Sequence, residues 1–534
     1  MIDLICAYRT TFLLTLIGLV IARLPSHAQT YVADSTHRTQ TAEIERVDLE
    51  KRELRIFAET ALSASTAKQT PFWLRTNQSG TVPTASPFGA IRGGITANYL
   101  YDITKPVDLI KNNRKLTGWG YGLEVVANGS RKSAFLLPEA YVKGRLWGLE
   151  LMVGRRREVI GLADSTLGTG PYIWSGNAMP MPKIQISLAD YTPIGFTKGI
   201  LSFRGLYAHG WFGNRGVVTH SYLHQKALYG RLGKASWPVR FYAGFNHQVQ
   251  WAGRSDVVTN ENQIKNGRFP TGFSNYLNAI LGTSLAARGD NIDTTLFSKA
   301  DRGNRVGNHL GTLDVGFEIN VKRFSLLVYR QNIYDDGSLF YLTNIADGLN
   351  GIRFRNNRPA ARQFQIHTAV VEFLNTESQG GATFGDLDKE RGADNYFNHT
   401  QYLDGWSYLG RTIGTPFIPP TDDTRSDLPR SQTITNYLFT NNNRVKVFHL
   451  GLSGRWHQQY SFQLKCSMSQ NLGIYGRPFP NVIHQFSSIL TLGFPPFRYG
   501  MQPTVSVASD HGKLFPNSTG FQISLRKTWD VSHP

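Results

Sequence analysis

Tyr396, Trp406, Tyr408 and Arg411 fall within residues 385–420, GDLDKERGADNYFNHTQYLDGWSYLGRTIGTPFIPP, a stretch that is polar, aromatic and rich in glycine. Sugar rings stack their C–H faces on aromatic rings, and guanidinium groups hold acidic substituents through charge-assisted hydrogen bonds, so these residue types suit glycan recognition. Two further groups have the same chemistry. Arg330, Gln331, Tyr334, Asp335 and Asp336 sit where a strand-like run enters a turn, and Glu372, Asn375, Glu377 and Gln379 form a second such cluster. A plainer reading stands beside the functional one. Asp335-Asp336-Gly337-Ser338 is also a tight-turn sequence, and Arg330, Glu372 and Arg411 would equally serve as an inward salt-bridge network in a barrel lumen.

Bond-making chemistry has little support. No Gly-x-Ser-x-Gly elbow is present, so a serine hydrolase lacks its nucleophile signature. His209, His220, His224 and His247 suggest metal binding by type, yet His220 and His224 lie in loop or strand context, where a separation of four is two pleats. Carboxylate pairs for glycoside hydrolysis could be drawn from Asp335, Asp336, Glu372 and Glu377, but sequence spacing does not set their distance. We assign no catalytic residue, metal or cofactor, and an outer-membrane hydrolase is the least favoured reading.

The elements that must position these residues are strands. Segment after segment alternates with period two between Gly, Asn, Asp or Pro: Ile91–Tyr101, Trp119–Ala127, Ile200–Ala208, Val239–Val249, Leu313–Val321, Phe324–Gln331, Gln363–Leu374, Val445–Trp456, Phe462–Met468, Ile489–Phe494 and Phe521–Trp529. Such lengths suit a membrane-crossing barrel strand, with aromatic girdles expected at both interfaces. Tyr99, Tyr101, Trp147, Trp211, Phe212, Trp251, Tyr329, Trp456, Tyr460 and Trp529 lie at segment ends as girdle candidates. A sandwich, propeller or solenoid would alternate similarly, but no blade-length repeat is found. Residues 269–285 read as a short helix with Phe273, Tyr276, Leu277 and Ile280 packing on one face. The 385–420 stretch is a long loop after a strand, and loops of such length are binding loops, lids or disordered segments.

The amino terminus points to export. Arg9 precedes the apolar run Phe12–Ala22, and Ser26-His27-Ala28 offers a small-x-small cleavage site, predicting a signal peptide over residues 1–28. Residues 29–53 are charged and rich in helix formers, a helix or lead-in, and 54–534 reads as a single β-barrel domain. The formal net charge is +19, and only Cys466 of the two cysteines lies beyond the leader, which excludes an intramolecular disulfide in the mature chain. A basic surface favours anionic partners, here an acidic polysaccharide or lipopolysaccharide; nucleic acid is not expected for an exported chain without a binding module. Arg155-Arg156-Arg157 would meet lipopolysaccharide phosphates, periplasmic phosphate groups or a solvated lumen. Arg353 and Arg355 share one face at period-two spacing, in the lumen or an outer loop.

Several ordered strings carry a family likeness: Pro71-Phe72-Trp73-Leu74-Arg75-Thr76-Asn77-Gln78, Pro138-Glu139-Ala140-Tyr141, Arg330-Gln331-Asn332-Ile333-Tyr334-Asp335-Asp336-Gly337-Ser338, Glu372-Phe373-Leu374-Asn375-Thr376-Glu377-Ser378-Gln379, Asp394-Asn395-Tyr396-Phe397-Asn398-His399 and Gly410-Arg411-Thr412-Ile413. Together they resemble the Wzi-like capsule assembly proteins, from about Leu54 to Trp529. The resemblance implies an all-β transmembrane outer-membrane barrel of roughly 16–18 antiparallel strands with a small helical periplasmic element. It also implies a lectin-like role, holding capsular or other exopolysaccharide at the surface of a Gram-negative cell. A porin-like channel for anionic or sugar solutes is the alternative. A closed barrel has no edge that demands a partner, so a monomer is expected.

Overall fold

The computed structural model describes residues 52–99, 117–131, 133–146, 148–285, 292–303, 305–335, 338–359, 363–383, 392–430 and 438–532. The signal-peptide and lead-in expectations over 1–51, Asp336, and residues 384–391 of the long loop lie outside these.

Eighteen antiparallel strands form one closed sheet. In chain order they are β1 (Arg52–Ser65), β2 (Phe88–Tyr99), β3 (Thr117–Gly129), β4 (Ala134–Leu146), β5 (Leu149–Arg155), β6 (Lys183–Pro193), β7 (Leu201–Trp211), β8 (Tyr222–Leu232), β9 (Val239–Trp251), β10 (Asn308–Val321), β11 (Phe324–Asp335), β12 (Gly348–Asn356) and β13 (Phe364–Asn375). A small separate hairpin, β14 (Ser407–Tyr408) and β15 (Arg411–Thr412), precedes β16 (Val445–Trp456), β17 (Tyr460–Ile474), β18 (Arg477–Gly493), β19 (Gln502–Gly512) and β20 (Ser518–Ser532). Each barrel strand pairs with its neighbour in sequence, and β20 closes on β1 with Ile56 opposite Trp529 and Ala64 opposite Phe521. Among the described residues three short α-helices accompany the sheet: α1 (Phe72–Arg75), α2 (Phe273–Leu281) and α3 (Lys299–Gly303).

The alternation in sequence becomes two faces of one wall. In β10, Asn308, Leu310, Thr312, Asp314 and Glu318 point inward and are buried, while Leu313 and Val315 point outward and are about half exposed. The same holds for Leu149, Leu151 and Val153 of β5 and for Ile352 and Phe354 of β12. An apolar belt this continuous would be an aggregation surface in water; facing lipid it is the expected exterior of a membrane barrel. Arg353 points inward from β12 and is buried, which decides between the lumen and outer-loop readings in favour of the lumen.

The two ends differ. Where β1 begins and β20 ends, described turns are short, as at 322–323 and 457–459; at the opposite mouth lie the connections 66–87, 156–182, 252–307 and 376–444. The aromatic girdle is clearest at the terminal end, where Trp119, Trp237, Trp456, Trp529 and Tyr499 are exposed. Three girdle candidates are corrected. Tyr329 points into the lumen, Trp251 is covered by α2, and Phe212 packs against Trp406 and Tyr408, so all three are buried. The side chains of Tyr99, Tyr101 and Trp147 lie outside the described residues. Helix α2 forms where expected, but Tyr276 faces the wall while Phe273 and Leu277 face away, so the four residues do not share one packed face.

Candidate functional site

Three of the mouth connections turn inward and fill the upper lumen. Phe72 and Trp73 from 66–87, Tyr172, Ile173 and Trp174 from 156–182, and Tyr396, Phe397, Trp406 and Phe417 from 376–444 form one apolar core with the wall residues Tyr329, Leu349 and Val447. Ring centroids lie 5.0 Å apart for Phe72 and Phe417 and for Tyr172 and Phe397. Burial of large aromatic rings is worth ~1.5–3 kcal/mol each, enough to offset the ordering entropy of loops this long only when many are buried together. Close backbone approach explains two of the glycines. A Cβ on Gly405, which has φ +61°, would sit 2.2 Å from the Phe397 carbonyl oxygen, and one on Gly414 would sit 2.3 Å from that of Tyr172.

Folding loops into a lumen buries their backbone polar groups, and these require partners. The wall supplies them. Glu372 of β13 accepts hydrogen bonds at Oε2 from the Thr169 amide (2.5 Å) and hydroxyl (2.7 Å), and at Oε1 from the Tyr329 hydroxyl. Gln331 of β11 accepts the Tyr172 amide at 2.9 Å and donates to Asp314 at 2.8 Å. Asp314 also accepts the Leu162 amide at 2.8 Å. From β19, Asp510 accepts the Phe72 amide at 2.8 Å, and His449 of β16 meets the Leu167 carbonyl at 2.6 Å.

The plug has its own centre. Asp347, fully buried just before β12, accepts the amides of Ser378 (2.9 Å) and Gln379 (2.7 Å) and the Tyr396 hydroxyl (2.9 Å). Gln379 in turn donates to Asn443 at 3.1 Å, and the Trp406 indole donates to the Ile173 carbonyl at 2.9 Å. Burial pushes the Asp347 carboxyl above the ordinary aspartate range, and does the same to Asp301 and Asp404. Asp404 accepts the amides of Val217 (2.9 Å) and Val218 (2.8 Å), tying the β7–β8 connection to the plug.

The residues singled out from sequence therefore occupy three places. Gln331, Glu372, Gln379, Tyr396, Trp406 and Tyr408 are buried within or against the plug, so their ring faces and polar atoms meet protein. Arg330 and Tyr334 lie on the outward row of β11. Arg330 reaches Asn332 and Asn350 at 2.7 Å and the Ile345 carbonyl at 2.5 Å, clamping the β11–β12 connection; this corrects the expectation that it lines the lumen. Asp335 is half-buried at the end of the same strand. Glu372 is held by Thr169 and Tyr329 rather than by an arginine, a second departure from the salt-bridge reading.

Arg411 stands apart. It pairs with Asp423 at 3.3 Å and donates to the Thr84 hydroxyl at 2.8 Å, at the edge of an open crease of about 520 Å³ on the mouth, lined by Lys68, Gln69, Thr84 and Asp422 among others. Arg156 and Arg157 are inside the barrel. Arg156 bonds Glu158 at 2.6 Å and Glu150 at 2.7 Å, and Arg157 bonds Glu124 at 2.7 Å, so these charges fasten the start of the 156–182 segment to the wall and do not face a membrane surface.

Sequence reasoning missed Asp164 and Asp347 and the whole 156–182 segment as plug. A signal was present: GLADSTLGTGPYIWSGNAMPMP loses the two-residue period and is rich in Gly and Pro. Asp164 accepts the amides of Thr166 (2.9 Å) and Leu167 (2.7 Å), a local Asx turn. Among the described residues, no group of three or more His, Cys, Asp or Glu could hold a metal ion.

A family profile described as capsule assembly protein Wzi matches residues 58–448. No curated protein sequence matches the chain. A solved structure of Wzi, an outer membrane protein involved in group 1 capsule assembly in Escherichia coli and described as a carbohydrate-binding β-barrel, is similar in fold, with 14% identity and a TM-score of 0.54. That match covers 89% of this chain and 85% of that one. Crystal structures of Pseudomonas aeruginosa OccK5 and Acinetobacter baumannii OccAB2 overlap less closely, at 8% and 9% identity and TM-scores of 0.43 and 0.44, covering 90% of this chain and 99% and 98% of theirs.

Proposed function

The chain belongs to the Wzi family of capsule assembly proteins, and from that premise we propose that it binds a surface polysaccharide and attaches or organises it on the outer membrane, with no bond-making chemistry of its own. The observation that carries this reading is the plug: three loops fill the mouth, with Glu372 and Gln331 of the wall bonding 156–182, Asp510 bonding 66–87, and Asn471 of β17 accepting from Asn442 of 376–444 at 2.9 Å. A mouth filled by a packed, hydrogen-bonded core offers a fixed surface rather than a passage. Longer loops mark the extracellular end of outer-membrane barrels, so the plugged mouth faces the capsule.

Polymer contact falls on the outer face of the plug. Lys68, Gln69, Thr84 and Asp422 offer a cation, an amide, a hydroxyl and a carboxylate along an open crease, with Arg411 bonded to Thr84 at its edge, an inventory for the hydroxyl and charged groups of a glycan. Tyr396, Trp406, Tyr408, Gln331, Glu372 and Gln379 shape that surface from beneath, and Arg330, Tyr334 and Asp335 hold its rim. The mature protein is a single barrel, monomeric, exported by a cleaved leader.

Cells lacking this chain should lose polysaccharide from the cell-bound fraction and accumulate it in the medium, with total synthesis unchanged. Unchanged distribution would reject attachment and put the channel reading first. A Lys68→Ala, Gln69→Ala variant that reaches the membrane in normal amount should shift the distribution the same way, by a smaller fraction.

A further inference from the structure

The outer wall stops being apolar at one place. The outward rows of β8, β9 and β10 carry exposed Leu228, Phe241, Phe245, Leu313 and Val315, but nearer the mouth the outward rows of β7 to β10 present His209, His224, Lys226, His247 and His309. Helix α2 lies over this polar patch. Tyr276 stacks on Trp251 with centroids 5.2 Å apart, meets His209 and His224 edge-on, and its hydroxyl lies 2.9 Å from that of Tyr207. The Lys226 ammonium donates to the Ile280 carbonyl at the end of the helix. His224 is fully buried beneath it, and neither ring nitrogen has a hydrogen-bond partner among the described residues.

The other side of the helix is apolar and bare. Phe273, Leu277 and Leu281 recur every fourth residue and are 75%, 41% and 72% exposed. A helix that hides polar wall residues and presents an apolar stripe restores the lipid-facing character the strands lose there. We propose that α2 is an interfacial helix seated in the outer leaflet, its Phe273, Leu277 and Leu281 stripe in contact with lipid acyl chains. Two observations select lipid as the occupant: the stripe continues the apolar rows of the same strands, and the histidines and Lys226 under the helix would otherwise face hydrocarbon, where polar and ionisable side chains are costly. This inference rests on the membrane-spanning reading of the barrel.

The test uses the full chain with Cys6 and Cys466 replaced by Ser, reconstituted in phosphatidylcholine and phosphatidylglycerol vesicles, carrying one nitroxide label at Leu277→Cys, Leu313→Cys or Asp422→Cys. Collision with oxygen reports lipid, and collision with a nickel chelate reports water. The label at 277 should track the wall label at 313, oxygen-accessible and shielded from nickel. A nickel-accessible label at 277 would overturn the proposal, and a label shielded from both would overturn it in favour of a protein, such as a second copy, covering the stripe. If the label at 313 itself reads as water-exposed, the membrane-spanning reading fails with it. Leu281→Cys repeats the measurement at a second exposed position, so poor folding of one variant does not decide the result.

Discussion

The plugged mouth and the wall under α2 both bury polar groups, and they do so by different means. In the plug wall residues are matched to backbone groups of the loops: Glu372 to Thr169, Gln331 to Tyr172, Asp510 to Phe72. Under α2 the patch is matched by Lys226 to Ile280, Tyr276 to Tyr207, His247 to His309 and His309 to the Val306 carbonyl, while His224 is simply covered. Loops inside a barrel carry many amides that water cannot reach, so their burial is stable only with partners in place. A strand in the wall already has its amides paired, and what an outward histidine needs is separation from hydrocarbon.

The comparison breaks most readily at the plug. Trp406→Ala removes a fully buried ring and the bond to Ile173, and should destabilise the plug by about 3–5 kcal/mol. In planar bilayers the wild-type protein should conduct poorly and this variant should show larger or noisier openings; equal, low conductance in both would show that other contacts hold the mouth closed. Asp347→Ala leaves the amides of Ser378 and Gln379 without their acceptor, at about 1–3 kcal/mol for each unsatisfied group. Limited proteolysis should then cut near 378–395 faster than in the wild type, with the barrel core still protected. Tyr276→Phe deletes one hydroxyl bond on the outer wall, costs about 0.5–1.5 kcal/mol and should leave conductance unchanged. If it opened the mouth, the two regions would be coupled.

Acid sharpens the contrast with the least effect. Asp347, Asp301 and Asp404 have carboxyl groups raised by burial, so the native state holds their protons more tightly than the unfolded chain does. Their contribution is complete below the unfolded aspartate value, about 3.9, and is lost as pH rises through the raised native values. Amide exchange in 338–347 and 392–407 should therefore be no faster at pH 5 than at pH 7, after correction for the intrinsic rate. Faster exchange at pH 5 would mean that the ionised carboxylates, through their amide hydrogen bonds, are what hold the plug.

Strands with one apolar and one polar face, such as β10, β11, β13 and β16, were legible from sequence because alternation is a local property. β8 was not. Its outward residues His224 and Lys226 and its inward residues Gln225 and Arg231 are all polar, because α2 replaces lipid on the outer side, and the contrast that reveals a strand disappears. β5 failed in a different way: LELMVGR buries Met152 inward while exposing Leu149, Leu151 and Val153, so both faces carry apolar residues.

The candidate site was legible in composition and not in placement. The aromatics of 396–408 stood out as a group, but their inventory suits a buried plug as well as a sugar platform. What the chain determined alone is the barrel: a two-residue period that recurs from Leu54 to Trp529 commits most strands to one wet face and one greasy face, whatever lies opposite. What tertiary structure decided is which way the loops turned and which rings were covered. Trp406 bonds a carbonyl 233 residues away and Glu372 an amide 203 residues away, and contacts at that range leave no periodic trace in the residues between.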